Sequence, residues 1–144
     1  MSTPKDLFSV AGKVAIVTGG LGQLGRQFSL TLAERGAKVV VLDQQVDATS
    51  TREKFGSLAS QILFVAADIT ERAALESALQ EVTTRLSVPE ILINNAGIDS
   101  PPDAPAEENG PFETFPEQSW DKVMAVNLKG TFLCCQGFGG AIAR

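Results

Sequence analysis

Four glycines, at positions 19, 20, 22 and 25, fall inside the stretch VAIVTGGLGQLGRQF, Val14 to Phe28. They follow an apolar run and precede a helical pattern. A tight turn from strand to helix needs residues that tolerate positive φ or a close backbone approach. The start of the helix then offers unpaired N–H groups and the positive end of its dipole. A pyrophosphate docks there when no side chain stands in the way. Gly20, Gly22 and Gly25 satisfy G-x-G-x-x-G, and the strand before and helix after supply the context the motif requires.

Two carboxylates extend this chemistry. Asp43 ends the run KVVVLD, and at that place a carboxylate accepts both hydroxyls of an adenosine ribose and repels a 2′-phosphate. Leu21 and Gln44 stand where a basic residue would neutralise such a phosphate, so the pattern favours NAD(H) over NADP(H). The other reading of Asp43 is a turn-forming residue. Asp68 ends ILFVAAD. Its carboxylate suits the exocyclic amine of adenine, with the Ile69 backbone alongside, or it caps the turn into a helix beginning near Glu71.

These residues need a frame to position them. VAIVTG (14–19), KVVVLD (38–43), ILFVAAD (62–68) and ILINNAG (91–97) lack the polar alternation of a half-exposed strand. They read as strands buried on both faces, as in parallel sheets. Between them run helical periods. Leu24, Phe28 and Leu32 form one apolar stripe, and Leu75, Leu79, Val82 and Leu86 form another. Residues 47–59 are a weaker helix candidate. Alternating strand and helix predict an α/β fold with right-handed crossovers. Residues 98–118, rich in proline and acid, read as a loop, either solvated or bordering a cleft at the carboxyl end of a strand. The segment after it, SWDKVMAVNLKGTFLCCQGFGGAIAR, reads as one or two long helices. Trp120, Val123, Met124 and Leu128 keep helical spacing there, as do Phe132, Cys135, Phe138 and Ile142.

Composition narrows the function classes. The 144 residues carry a net charge of −5, with 44% hydrophobic and 20% charged residues. That balance suits one soluble globular domain and argues against nucleic acid or an anionic membrane as partner. No apolar run reaches membrane-spanning length, and the amino-terminal stretch lacks a signal-peptide core. Cys134 and Cys135 are adjacent and the chain has no histidine. Metal ligation and thiol catalysis are therefore not expected, and both cysteines read as helix packing in a reducing, cytoplasmic setting.

TGGLGQLG (18–25), Asp43, Asp68-Ile69, NNAG (94–97) and VNLKGTF (126–132) occur together and in this order. In this the chain resembles the short-chain dehydrogenase/reductase family from Gly12 to Arg144. The resemblance implies an NAD-dependent oxidoreductase on a Rossmann-like doubly wound parallel sheet, with strand order 3-2-1-4. It implies cofactor binding by Gly19, Leu21, Gly22, Gln23, Leu24 and Gly25 in the turn. It extends this to Asp43 and Gln44, to Asp68 and Ile69, and to Asn95, Ala96 and Gly97. Asn94 to Gly97 would brace the sheet and pass beside the ribose. Asn127 would be catalytic, its backbone carbonyl holding a water of the proton relay; the other reading is a helix distortion with a satisfied amide. The family's commonest turn has glycine at position 23, whereas this chain fits TGxxGxxG. The Gln23 side chain must point away from the pyrophosphate or hydrogen-bond to it.

The family's proton chemistry uses a serine, a tyrosine and a lysine four residues after it. This sequence has no tyrosine, so no YxxxK exists, and its last serine, Ser119, precedes the final helix. The chain reads as an amino-terminal half, residues 1–144 forming a single NAD-binding domain, predicted inactive alone. Its fourth strand would be an open edge, and Phe132, Leu133, Phe138 and Ile142 would be exposed. A second copy or a complementing carboxyl-terminal half would cover them. The alternative is a non-catalytic dinucleotide-binding or assembly module. The substrate, an alcohol or a carbonyl compound by the resemblance, is not legible.

Overall fold

A computed structural model describes residues 8–46, 50–100 and 104–144. The first seven residues, the start of the 47–59 helix candidate, and Pro101 and Pro102 of the proline-rich segment lie outside the described residues.

The four apolar runs form parallel strands β1 (Val14–Thr18), β2 (Lys38–Asp43), β3 (Ile62–Ala66) and β4 (Ile91–Ile93). Their order is β3-β2-β1-β4, as expected. Ile16 sits opposite Val40 and Leu92, and Val41 opposite Phe64. Parallel neighbours need crossover segments. These are α1 (Gln23–Glu34), then α2 (Ser50–Glu53) with a 3-10 helix (Gly56–Gln61), then α3 (Arg72–Arg85).

Strand residues alternate between two cores. Val14, Ile16, Val40, Leu42, Leu63 and Val65 pack with Leu75, Ala78 and Val82 of α3 and with Leu133 and Phe138. Val17, Val39, Val41 and Ile62 pack with Ala33, Phe55 and Ala59 on the other side. Covered on both faces, β1 from Val14 to Val17 has no exposed surface. The α3 stripe holds: Leu75 and Val82 are buried, while Leu79 and Leu86 pack partly buried against the same core.

Of the α1 stripe only Leu32 packs against a core. Gly25, Ser29 and Ala33 face the sheet, while Leu24 and Phe28 are 65% and 40% exposed. The helix start is drawn so close to β1 that only small side chains fit beneath it. A Cβ on Gly25 would lie 2.2 Å from the Gly19 carbonyl oxygen. The fourth strand is also shorter than its apolar run. It pairs only with β1, and β1 turns away after Thr18, so the NNAG backbone has no strand beside it.

The last helical run is nearly continuous: α4 (Glu117–Met124), a π-helical turn (Ala125–Gly130), α5 (Thr131–Cys134), a second π-helical turn (Cys135–Gly139) and α6 (Gly140–Ile142). Each wide turn inserts an extra residue and rotates the face presented to the sheet. Leu133, Cys134 and Phe138 are buried against the sheet and α3, so the exposure expected for Leu133 and Phe138 does not hold, and Cys135, expected on one stripe with Phe138, is exposed. Burial pushes the Cys134 thiol up to about 12, with the neighbouring Cys135 adding to the shift, so this thiol stays protonated and inert. Gly130 allows the close approach here: a Cβ on it would meet Ile69 Cδ1 at 2.6 Å. Trp120, Leu128 and Phe132 stay on the outer surface, more than half exposed.

Residues 98–118 are not a featureless loop. They hold short 3-10 turns at Ala106–Glu108 and Phe112–Thr114, and α4 begins within them. Glu108 ties this segment to α4, accepting from Ser119 Oγ at 2.7 Å and from Ser100 Oγ at 2.9 Å. These hydroxyls, with Lys122 assisting, hold its carboxyl below the ordinary glutamate range despite some desolvation. A depressed folded-state pKa means that the tie is kept above that range and lost as pH falls through the folded value.

Candidate functional site

The strand order reverses between β1 and β4, and open α/β sheets bind ligands outside the carboxyl ends of the strands at such a point. A cleft of about 570 Å³ lies there. Its construction starts at Thr18. The buried Thr18 hydroxyl accepts from the Asn95 and Ala96 N–H groups, both at 3.1 Å, and donates weakly to the Ile93 carbonyl at 3.4 Å. The Asn95 amide donates back to the Thr18 and Gly19 carbonyls, both at 3.0 Å. Side chains thus replace the missing β1–β4 ladder and hold NNAG beside the glycine turn.

Thr18→Val keeps the shape but strands two N–H groups. We expect a loss of about 2 kcal/mol, within the range for unpaired donors, with recovery in Thr18→Ser. Urea unfolding checks this, and a Thr18→Val midpoint equal to the parent's would contradict it.

Gly19 has φ +61°, a left-handed conformation that glycine adopts freely. Its missing side chain also leaves room for Ala96, whose Cα would lie 2.7 Å from a Cβ. Gly22 is the N-cap of α1. No side chain caps the helix and no acid lies in its first turn. The first-turn N–H groups have no acceptor within the helix, and Gln23 and Leu24 from this turn line the cleft. The helix begins at Gln23, and among the described residues no non-glycine has positive φ. Position 23 therefore imposes no demand for glycine.

The wall beside the glycine turn is set by β2. Asp43 Oδ2 accepts from the Leu21 N–H at 3.0 Å, and its Oδ1 accepts from the Gln44 N–H at 2.9 Å. The carboxylate is thereby fixed to the glycine turn by its backbone. Gln44 also reaches the β3 end, donating from Nε2 to Asp68 Oδ2 at 2.9 Å. Asp68 Oδ1 takes the Thr70 N–H and hydroxyl at 2.8 and 2.7 Å. Asp68 is thus a turn-forming residue ahead of α3, whose N-cap is Glu71, while its second oxygen faces Gln44.

Gly19, Leu21, Gly22, Gln23, Leu24, Asp43, Gln44, Ile69, Asn95, Ala96 and Gly97 all line this one cleft. Gly25 lies beneath the turn as a spacer, and Asp68 stands behind Gln44. Leu42, Ala67, Ile98 and Val126 complete the walls. Each adjoins a residue singled out in the sequence. Asn127 lies in the first π turn and pairs with Ile98 in both directions, accepting its N–H at 2.8 Å and donating to its carbonyl at 2.9 Å. Its own carbonyl accepts the Thr131 hydroxyl at 3.0 Å. The Asn127 amide thus ties the helical run to the cleft wall at Ile98. Asn94 points elsewhere, donating to Cys135 Sγ at 3.3 Å.

The cleft can hold an anion at the start of α1, a diol at Asp43 and a flat apolar group among Leu42, Ala67, Ile69 and Val126. Among the described residues no group of three or more His, Cys, Asp or Glu could hold a metal ion, and no helix is long and apolar enough to cross a membrane.

Known proteins resemble this chain in sequence and in fold. The chain is 34% identical over 134 residues to the (2S)-[(R)-hydroxy(phenyl)methyl]succinyl-CoA dehydrogenase subunit BbsD of Thauera aromatica, covering 91% of this chain and 50% of that protein. It is 34% identical over 132 residues to an NAD-dependent glycerol dehydrogenase of Listeria innocua, covering 92% of this chain and 48% of that protein. The chain spans about half the length of the curated relatives it matches. A short-chain type dehydrogenase/reductase from Mycobacterium marinum superimposes with a TM-score of 0.81 at 27% identity, over 94% of this chain and 52% of that one. A 3-ketoacyl-(acyl-carrier-protein) reductase from Brucella melitensis, solved in complex with NADH, does so with a TM-score of 0.75 at 30% identity, over 89% of this chain and 49% of that one. The sequence pattern of the short chain dehydrogenases matches residues 13–142, and with the sheet order this places the chain in the short-chain dehydrogenase family.

Proposed function

We propose that this chain is the cofactor-binding part of an NAD(H)-dependent oxidoreductase, a single dinucleotide domain over residues 1–144. The observation that carries the reading is Asp43, a carboxylate fixed by the Leu21 N–H beside an uncapped helix start. The pyrophosphate would take the first-turn N–H groups of α1, the ribose diol would donate to Asp43, and adenine would lie against Ile69 with Asp68 within reach. Backbone at Asn95 to Gly97 would border the adenosine side. A relative named as NAD-dependent and a neighbour solved with NADH support this choice of cofactor. The nicotinamide supplies hydride exchange with an alcohol or ketone carbon.

The chain's own residues bind and orient. Asn127 holds the cleft wall through Ile98, and its carbonyl, with one lone pair beside Thr131, retains capacity for a relay water. Proton transfer is another matter. With no tyrosine in the sequence, the 144 residues bind cofactor but do not turn over alone. That same absence favours a second reading, a non-catalytic dinucleotide-binding or assembly module. Exposed Trp120, Leu128 and Phe132, with β4 paired on one side only, support a homo-oligomer or a complementing half as partner. Two free thiols fit a cytoplasmic setting.

Calorimetry on the folded chain tests the reading. NADH should bind at least about tenfold more tightly than NADPH, since Asp43 repels a 2′-phosphate. Absence of heat with NADH, or a preference for NADPH, would overturn it.

A further inference from the structure

We propose that Gln44 is a strap over the adenine end of the cleft, held shut on Asp68 in the free chain and released when adenine enters. The proposal rests on the dinucleotide reading above and adds a gating residue to it. Gln44 is anchored at its backbone, where its N–H is held by Asp43 Oδ1 at 2.9 Å. Its side chain then bridges from the end of β2 to the β3–α3 turn, with Nε2 on Asp68 Oδ2 at 2.9 Å. Gln44 lines the cleft together with Leu42, Ala67 and Ile69, the apolar surfaces on which a flat base can lie.

The two ends of the strap differ in freedom. Asp68 is immobilised by two bonds from Thr70 to its other oxygen. Gln44 is exposed, and only its side-chain rotamers must change to open the bridge. An exocyclic amine approaching Asp68 Oδ2 meets the lone-pair direction that the Gln44 amide already holds, on the side of Asp68 left free by Thr70. Rotamer changes of an exposed side chain take picoseconds to nanoseconds, far faster than ligand arrival. The strap therefore acts as a rapid pre-equilibrium, and apparent affinity falls by the fraction of time the site stands open.

This gives a kinetic signature. Removing the strap raises the association rate and leaves the dissociation rate unchanged. A residue that only contacts bound adenine does the opposite: its loss speeds dissociation. The experiment measures both rates for ADP-ribose on the folded parent chain, Gln44→Ala and Gln44→Met, the last keeping bulk without the hydrogen bond. Nicotinamide mononucleotide, which has no adenine, is the control.

We expect the association rate for ADP-ribose to rise about three- to tenfold in both variants, the range set by the net contribution of one solvent-exposed hydrogen bond. Dissociation should not change, and the control ligand should show no gain. In nitrogen-15 spectra of the parent chain, the Gln44 side-chain amide should shift on adding AMP. An unchanged association rate or a faster dissociation overturns the strap while leaving the dinucleotide site standing. Failure of the parent chain to bind ADP-ribose at all overturns both.

Discussion

Gly25→Ala is expected to destabilise the fold by about 3 kcal/mol or more, at the upper end for overpacking, and to abolish cleft binding with it. The added Cβ would stand 2.2 Å from the Gly19 carbonyl oxygen, 2.6 Å from Asn95 Nδ2 and 2.8 Å from Gly20 Cα. Two of these atoms are backbone and the third is the amide that joins NNAG to the glycine turn. None can retreat without parting α1 from β1 or breaking the Thr18–Asn95 network. For a domain of this size the loss lowers the melting temperature by on the order of 10 °C. Gly137→Ala is the matched control. No atom lies within 4 Å of a Cβ there, and the residue sits inside a helical run. Alanine should be neutral or stabilise by up to about 1 kcal/mol. Thermal unfolding of both variants reads the contrast, and equal melting temperatures would remove Gly25 from its role as spacer.

The same close packing explains what the sequence could and could not reveal. The sheet was legible because strands packed inside a sheet need unbroken apolar runs, and VAIVT, KVVVL, ILFVA and ILI are such runs. The α3 stripe was legible because Leu75 and Val82 fill ordinary space above the sheet. The α1 stripe misled because its inner face is chosen for smallness. Gly25, Ser29 and Ala33 give no hydrophobic signal, whereas Leu24 and Phe28 do and face outward. The stripe counted through Phe132, Cys135 and Phe138 likewise failed, because two π turns alter the phase: Phe132 and Cys135 face outward while Phe138 is buried, and a π turn leaves no mark in composition.

In the site, residues that act through their side-chain type were visible. Asp43, Asp68 and the asparagines announce themselves as polar groups closing apolar runs. Thr18 was harder to read, since a threonine ending a strand is unremarkable by type. Its hydroxyl becomes central only because the backbone of β4 lacks a ladder partner past Ile93. The role of Asn127 was open in the sequence, where a backbone-carbonyl relay and a helix distortion with a satisfied amide stood side by side. The residue lies in a π turn and its side chain pairs with Ile98 in the cleft wall.

Asp43→Ala is expected to weaken NADH binding by about 100-fold or more and to erase the preference over NADPH. Both carboxylate oxygens already hold backbone N–H groups, Leu21 on one and Gln44 on the other. Each oxygen keeps one further lone-pair direction, enough for one ribose hydroxyl apiece. A hydrogen bond to a charged acceptor contributes roughly 1.5–3 kcal/mol, so losing two such bonds gives at least that factor. Alanine also removes the negative charge that a 2′-phosphate would meet, so NADPH binding should weaken less or even improve. Asp43→Asn separates the two effects: it keeps one acceptor and loses the charge, and should recover part of the NADH affinity without restoring full discrimination. Calorimetry with both dinucleotides on parent and variants measures this, with circular dichroism to verify folding. If Asp43→Ala, properly folded, binds NADH as the parent does, the carboxylate is a turn residue and the ribose must lie elsewhere.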